Sequence, residues 1–153
     1  MKSKKNKKIL AIASIGGHWI QLLRLMPAFK GQDVTFISTM SSFADTVTDH
    51  KFYTVPDANR RNKFDLLKCA LAISWIVFFK IRPRVIITTG AAPGLIGLAA
   101  GKIIGAKTIW VDSIANVDKL SMSGNIALKI ADRVYTQWEH LATPNVIYSG
   151  NVL

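Results

Sequence analysis

Residues 9–23 read ILAIASIGGHWIQLL, a short apolar run that meets a glycine-rich turn and then a periodic apolar run. The first run, 9–13, has the length of a buried strand, and the spacing of Ile20 and Leu23 is typical of a helix that packs on a sheet. A strand that leads through glycines into a helix forms an anion site, because backbone N–H groups approach the ligand and the helix N-terminus carries partial positive charge. Two interpretations stay open here: an anion site over which His18 reaches, or a tight turn that His18 caps.

The rest of the chain alternates strand-like and helix-like segments. Strands are predicted at 9–13, 33–38, 51–55, 84–89, 107–112, 133–137 and 146–148, and helices after residue 18 and at 65–80, 93–104 and 121–131. This alternation predicts an α/β fold with a Rossmann-like, doubly wound parallel sheet, whose ligands bind beyond the carboxyl ends of the strands. It therefore places the 14–18 turn, the 89–94 turn and the 112–118 loop at one edge of the sheet.

The N-terminal residues 1–8 carry five lysines, and the 153-residue chain is long enough for one domain with its own core. We expect a basic arm at 1–8 and a single domain at 9–153. We do not expect the arm to belong to a signal peptide, because the apolar run behind it stops at Ser14 without a small-residue cleavage site of the usual kind. The arm could also be simply a solubilising tail. The single cysteine, Cys69, excludes an internal disulfide and lies in an apolar run, so we expect it in the core of a cytoplasmic protein.

The composition combines a formal net charge of +11 with 50% hydrophobic residues. This combination favours an anionic membrane surface over nucleic acid as a partner, and no nucleic-acid reader motif is present. Segment 65–80 is apolar all round and shorter than the roughly 20 residues that span a bilayer, so it is either a core helix alone or a core helix with a membrane face. The membrane interpretation assigns lipid contacts to Arg60, Arg61, Lys63, Trp75, Phe78 and Phe79.

Several common activities are excluded by missing motifs. The first turn lacks the third glycine and the later acid of a dinucleotide site, and no Walker motif, nucleophile elbow or metal-ligand spacing is present. We therefore expect no cofactor and no metal. A candidate general base remains in His18, since imidazole is the usual choice near neutral pH. Asp112 either orients a partner group or substrate hydroxyl, or caps the segment that follows it.

Five short motifs occur in an order that resembles the Alg14 family: SIGGH at 14–18, TGAAPG at 89–94, DSIANV at 112–117, LSMSG at 120–124 and ADRVYTQW at 131–138. This family includes the membrane subunit of the two-part transferase that adds the second GlcNAc to dolichol-diphospho-GlcNAc, and bacterial exopolysaccharide and capsule subunits. It is similar to the N-terminal half of the lipid-linked peptidoglycan GlcNAc transferase, a GT-B enzyme.

The resemblance implies a membrane-associated subunit of a heteromeric glycosyltransferase for polysaccharide biosynthesis. Such a subunit holds half an active site, and a second Rossmann-like subunit binds the UDP-sugar. The acceptor is a saccharide linked to a polyprenyl diphosphate, and the location is the cytoplasmic face of a membrane, peripheral or monotopic. Two alternatives are a non-catalytic anchor or activator of a separate transferase subunit, and a basic module that binds lipid or RNA.

The resemblance also implies roles for individual residues, with His18 as the catalytic residue. The acceptor and its diphosphate would contact Ser14, Gly16, Gly17, Thr89, Gly90, Ala91, Pro93 and Gly94. The cleft or partner surface would contain Asp112, Ser113, Asn116, Ser121, Gln137 and Trp138. The chain departs from the family pattern in having Asp112 where glutamate is usual and Asn116 where arginine is usual, which puts a phosphate or partner contact in doubt.

Overall fold

One parallel sheet organises the protein in a computed structural model that describes residues 6–58 and 61–152. Its strands are β1 (Lys8–Ala13), β2 (Asp33–Ser38), β3 (Lys51–Thr54), β4 (Val85–Gly90), β5 (Lys107–Val111), β6 (Arg133–Thr136) and β7 (Ile147–Tyr148). Their order is β3-β2-β1-β4-β5-β6-β7, and every pairing is parallel. The chain winds outward in one direction from β1 and in the other from β4, which confirms the doubly wound fold.

Four helices connect the strands: α1 (Gly17–Arg24), α2 (Lys63–Trp75), α3 (Ala92–Ile103) and α4 (Met122–Ala127). A wider π-type turn extends α2 over Ile76–Ile81, and 3₁₀ turns occupy Met26–Phe29, Ser41–Thr46 and Glu139–Leu141. Helix α2 begins before the predicted segment because the Asn62 side chain accepts a hydrogen bond from the Phe64 amide at 3.0 Å. Asp65 lies in the first turn, where its charge suits the helix dipole.

Helix α4 ends four residues before the predicted helix at 121–131 does. The chain is drawn toward β6 by Asp132, whose carboxylate accepts hydrogen bonds from the Thr108 amide at 2.8 Å and from Lys102 at 2.5 Å. The bond from Lys102, followed by that from the Thr108 amide, lowers the pKa of the Asp132 carboxyl to about 2. This ionic contact ties the end of α3 to the start of β6.

The core has two layers, one on each face of the sheet. Successive residues of β1 alternate between them: Leu10 and Ile12 face α2, α3 and α4, whereas Ala11 and Ala13 face α1. Cys69 is fully buried in the first layer, as predicted, and burial, followed by the charge of Asp57, raises the pKa of its thiol to about 11. The two layers cover both faces of the central strands.

Three glycines allow α3 to lie unusually close to the sheet. An added Cβ at Gly94, Gly97 or Gly101 would collide with the side chains of Thr88, Ile12 and Ile86, respectively. Because α3 follows β4 almost at once, this close packing also fixes the turn at the end of β4. That turn forms one wall of the site described next.

Candidate active site

The glycine-rich turn lies where the strand order reverses, beyond the adjacent carboxyl ends of β1 and β4. Gly16 precedes α1 with a φ of +74°, and no side chain caps the first turn of the helix. An added Cβ at Gly16 or Gly17 would meet nothing within 4 Å, so both glycines face open space. The Ser14 amide donates to the Gly90 carbonyl at 3.2 Å, which joins this turn to the one after β4. The first backbone N–H groups of α1 are therefore not capped by a side chain, which is the arrangement that the anion-site prediction requires.

His18 is held by a reciprocal pair of hydrogen bonds with Thr89. Its Nδ1 lies 2.8 Å from the Thr89 carbonyl oxygen, and the Thr89 hydroxyl donates to the His18 carbonyl at 2.6 Å. Because a carbonyl only accepts hydrogen bonds, Nδ1 carries a proton, and Nε2 of the neutral ring keeps its lone pair. Nε2 makes no hydrogen bond within residues 6–58 and 61–152. The two bonds with Thr89 therefore fix the orientation of the imidazole.

Gly90 is required by the position of this imidazole. A Cβ at Gly90 would lie 2.7 Å from Cε1 and 2.8 Å from Nδ1 of His18, and the φ of +125° disfavours other residues. Gly90 therefore acts as the surface against which the ring packs. Thr89, Pro93 and Gly94, which the family resemblance placed in the acceptor pocket, are buried, and Pro93 and Gly94 lie at the start of α3.

A cleft of about 350 Å³ opens beside His18. It brings together the turn after β1, the turn after β4 and the segment after β5, as the strand order predicted. Its lining residues are His18, Gly90, Ala91, Trp110, Ser113, Ala115, Asn116, Ser121, Met122 and Ser123. Six of them were site candidates from the sequence, and the other four, Trp110, Ala115, Met122 and Ser123, were not. Trp110 and Met122 were missed because apolar residues in predicted strands and helices indicate only a core.

Asp112 is buried and does not line the cleft, but its carboxylate accepts four hydrogen bonds from residues that do. Trp110 Nε1 and the Ser121 hydroxyl donate to Oδ1 at 2.9 and 2.5 Å, and Asn116 Nδ2 and the Ser121 amide donate to Oδ2 at 3.2 and 2.9 Å. Ser121 in turn caps α4 by accepting from the Gly124 amide at 2.8 Å. Of the two roles left open for Asp112, this geometry supports organising and capping the loop.

A buried amide side chain that the sequence analysis did not single out connects this loop to α1. Gln21 Nε2 donates to the Asp112 carbonyl at 3.0 Å, and Gln21 Oε1 accepts from the Ile114 amide at 3.1 Å. Gln137 Nε2 donates to the same Asp112 carbonyl at 3.1 Å, and its Oε1 accepts from the Val152 amide at 2.9 Å. The sequence held one signal for the role of Gln21, which is that it is a polar residue among apolar neighbours in α1.

The candidates at the carboxyl end of the chain also support the loop. Trp138 Nε1 donates to the Ile114 carbonyl at 2.8 Å, and His140 Nε2 lies 2.6 Å from the Val117 carbonyl oxygen. Gln137 is buried and Trp138 is half-buried, and neither lines the cleft beside His18. Both side chains instead donate hydrogen bonds to backbone carbonyls of the loop. Within residues 6–58 and 61–152, no group of three His, Cys, Asp or Glu side chains is placed to hold a metal ion.

The outer face of α2 is exposed and, apart from Lys68, apolar. Its exposed stripe has helical spacing, with 55–75% of each residue accessible, and consists of Phe64, Leu67, Leu71, Trp75 and Phe79. Phe78 is half-buried against the core, and Arg60 lies outside the described residues. Basic residues flank the stripe at both ends: Arg61, Lys63, Lys80, Arg82 and Arg84. In the part of the chain that is described, no helix combines the length and hydropathy needed to cross a bilayer.

Sequence comparison finds a family match over residues 64–152, described as "Oligosaccharide biosynthesis protein Alg14 like". The UDP-N-acetylglucosamine transferase subunit ALG14 of Yarrowia lipolytica is 28% identical over 95% of this chain and 81% of its own length. The corresponding Schizosaccharomyces pombe subunit is 29% identical over 90% of this chain and 78% of its own. The Homo sapiens subunit is 22% identical over 98% of this chain and 85% of its own length.

Structure comparison finds MurG of Acinetobacter baumannii with a TM-score of 0.73 and 14% identity, over 95% of this chain and 46% of that one. A UDP-N-acetylglucosamine 2-epimerase from Rickettsia bellii also has a TM-score of 0.73, with 12% identity over 97% and 46%. A glycosyltransferase from Rickettsia africae has a TM-score of 0.66, with 16% identity over 95% and 43%. The chain spans about half the length of these solved structures.

The Asp112 cluster makes a stability prediction. In Asp112→Asn an amide NH₂ replaces one acceptor oxygen and faces donors, so we expect a loss of about 1–3 kcal/mol in the free energy of unfolding. Urea denaturation measures it, and Asp118→Asn, on the exposed part of the same loop, is the matched control. Equal stability of the two variants would contradict the organising role of Asp112.

Proposed function

This chain belongs to the family of Alg14-like oligosaccharide biosynthesis proteins, and we propose on that premise that it is the acceptor-side subunit of a heteromeric glycosyltransferase. The complex transfers a sugar from a UDP-sugar to a saccharide linked to a polyprenyl diphosphate, in polysaccharide biosynthesis. The observation that carries the proposal is the oriented His18 beside an uncapped helix N-terminus, at the switch point of a single Rossmann-like unit. The names of the ALG14 relatives make UDP-GlcNAc the first donor to test.

A partner subunit supplies the donor half of the site. The chain corresponds to about half of the GT-B-like structures that it resembles, and a GT-B site forms between two Rossmann-like units. Ligand sites commonly lie at such junctions between domains. The cleft beside His18 is open on one side, which suits closure by a second, UDP-sugar-binding unit.

The proposed reaction is a direct displacement at the anomeric carbon of the donor sugar. Nε2 of His18 takes the proton of the acceptor hydroxyl while the hydroxyl oxygen bonds to the anomeric carbon. The bond between that carbon and UDP breaks, and UDP leaves with the electron pair. The Thr89 carbonyl holds the ring through Nδ1 and stabilises the imidazolium that forms. The N-terminus of α1, beyond Gly16 and Gly17, attracts the acceptor diphosphate.

Membrane association follows from the outer face of α2. A helix of this kind lies in the membrane interface, with the apolar stripe in the acyl boundary and the basic side chains at anionic headgroups. The subunit would then be a peripheral or monotopic protein of the cytoplasmic face. The lipid-linked acceptor would then reach the cleft from the same membrane surface.

The function is tested first by reconstitution. We expect the purified chain alone to transfer no sugar, because the donor half of the site is missing, and the co-purified complex with its UDP-sugar-binding partner to transfer it. The measurement is incorporation of labelled GlcNAc from UDP-GlcNAc into a polyprenyl-diphosphate-linked saccharide. Robust turnover by the isolated chain would overturn the half-site assignment.

A second test concerns His18. His18→Ala should lower turnover of the complex by about 10²–10⁴-fold, which is the usual contribution of a general base. Turnover is corrected for the folded fraction, and His50→Ala, at a ring that packs on Phe36 away from the cleft, is the control. A loss below about tenfold would make His18 structural, place the base in the partner, and favour the anchor or activator alternative.

A third test concerns the membrane face. We expect salt-sensitive binding of the chain to vesicles containing phosphatidylglycerol, since each basic residue near an anionic surface contributes about 1 kcal/mol. Binding should fall for Leu67→Gln with Leu71→Gln, and for Arg61→Glu with Lys63→Glu. Ile20→Gln, an exposed position of α1 on the other face of the sheet, is the control. Failure of the parent to bind, or equal binding by all variants, would refute the membrane face.

A further inference from the structure

Helix α4 has one buried side and one exposed apolar side. Ser123, Gly124 and Ala127 are buried, whereas Met122 is 65% and Ile126 is 45% exposed. The helix is held firmly, because Ser121 caps it and a Cβ at Gly124 would lie only 2.7 Å from the Asp112 carboxylate. Two apolar side chains one turn apart are thus displayed to solvent on a fixed support.

Met122 also lines the cleft that contains His18. The loop side of the same cleft is polar and includes Ser113, Asn116 and Ser121. The cleft therefore has a polar interior and an apolar rim at the start of α4. This arrangement suits a ligand whose polar part sits beside His18 and whose apolar part leaves over Met122.

Helix α3 lies between the apolar rim and the exposed stripe of α2. Helix α4 packs on α3, and α3 packs on α2, all on the same face of the sheet. The outer side of α3 carries Leu95 and Ile96, which are half-buried, and Ala99 and Lys102, which are exposed. The rim and the stripe are thus on the same face of the sheet, with one mostly apolar helix between them.

We propose that Met122 and Ile126 form a lip over which the isoprenoid chain of the acceptor leaves the cleft and reaches the bilayer. The proposal rests on the proposed function for the identity of the acceptor, and it adds two residues that recognise the lipid part of that acceptor. The lip lies at the rim of the cleft and on the same face of the sheet as the exposed stripe of α2. This position favours a lipid chain over a partner subunit as its occupant.

The test is a comparison of two diphosphates by quenching of tryptophan fluorescence, since Trp110 lines the cleft. One carries a long polyprenyl chain and the other a short, water-soluble alkyl chain, and both are titrated into the chain in detergent. We expect the parent to bind the long-chain diphosphate more tightly. In Met122→Gln with Ile126→Gln this preference should fall roughly tenfold, as expected for lost apolar contacts, with the short-chain affinity unchanged.

Two further variants sharpen the comparison. Met122→Leu, which keeps an apolar side chain at the rim, should retain the preference, and Ile103→Gln, exposed at the far end of α3, should leave it unchanged. The lip would be overturned if the parent shows no preference for the long chain, or if the double variant binds both ligands equally more weakly. It would also be overturned if the double variant no longer co-purifies with the partner subunit. An intact preference in a complex that transfers no sugar would instead overturn the proposed function and leave the lip supported.

Discussion

Three hydrogen bonds join the carboxyl ends of β1 and β4, and the geometry of the site depends on them. The Ser14 amide bonds the Gly90 carbonyl, and His18 and Thr89 bond each other in both directions. These bonds form because β1 and β4 are neighbouring parallel strands, so that the turns after their carboxyl ends lie side by side. They fix the orientation of the His18 ring. They also fix its tautomer, because the Thr89 carbonyl can only accept a hydrogen bond and Nδ1 must therefore carry the proton.

The loop after β5 is held by a different principle. It has little regular secondary structure, and side chains satisfy its polar groups: Gln21, Asp112, Ser121, Gln137 and Trp138. A buried carboxylate is tolerable only when donors surround it, and a partly satisfied network costs more than an apolar core. The hydrogen bonds that surround the Asp112 carboxylate therefore also hold the loop, and with it one wall of the cleft, in place.

The sequence was sufficient for the sheet and for the edge where the site lies, because alternating strands and helices constrain strand order and direction. The sequence was insufficient for residues whose role depends on the direction in which the side chain points. A segment that is apolar all round gives no inward side, so Phe78 was assigned to lipid, whereas Phe64, Leu67 and Leu71 are exposed. Gln21 was missed because its partners lie more than 90 residues away, in a loop whose path follows from tertiary contacts.

The direction of the crossover helices links the proposed membrane face to the site. In a parallel sheet each connecting helix must return the chain from the carboxyl edge to the amino edge, so α2, α3 and α4 all begin at the level of the cleft. The apolar stripe of α2 therefore starts with Phe64 at the edge where His18 lies and ends with Phe79 at the opposite edge. A helix lying flat in the interface along this stripe would keep the cleft beside the bilayer, within reach of a diphosphate at headgroup depth. The topology that places the glycine-rich turn at this edge therefore also sets the position of the turn relative to the proposed lipid surface.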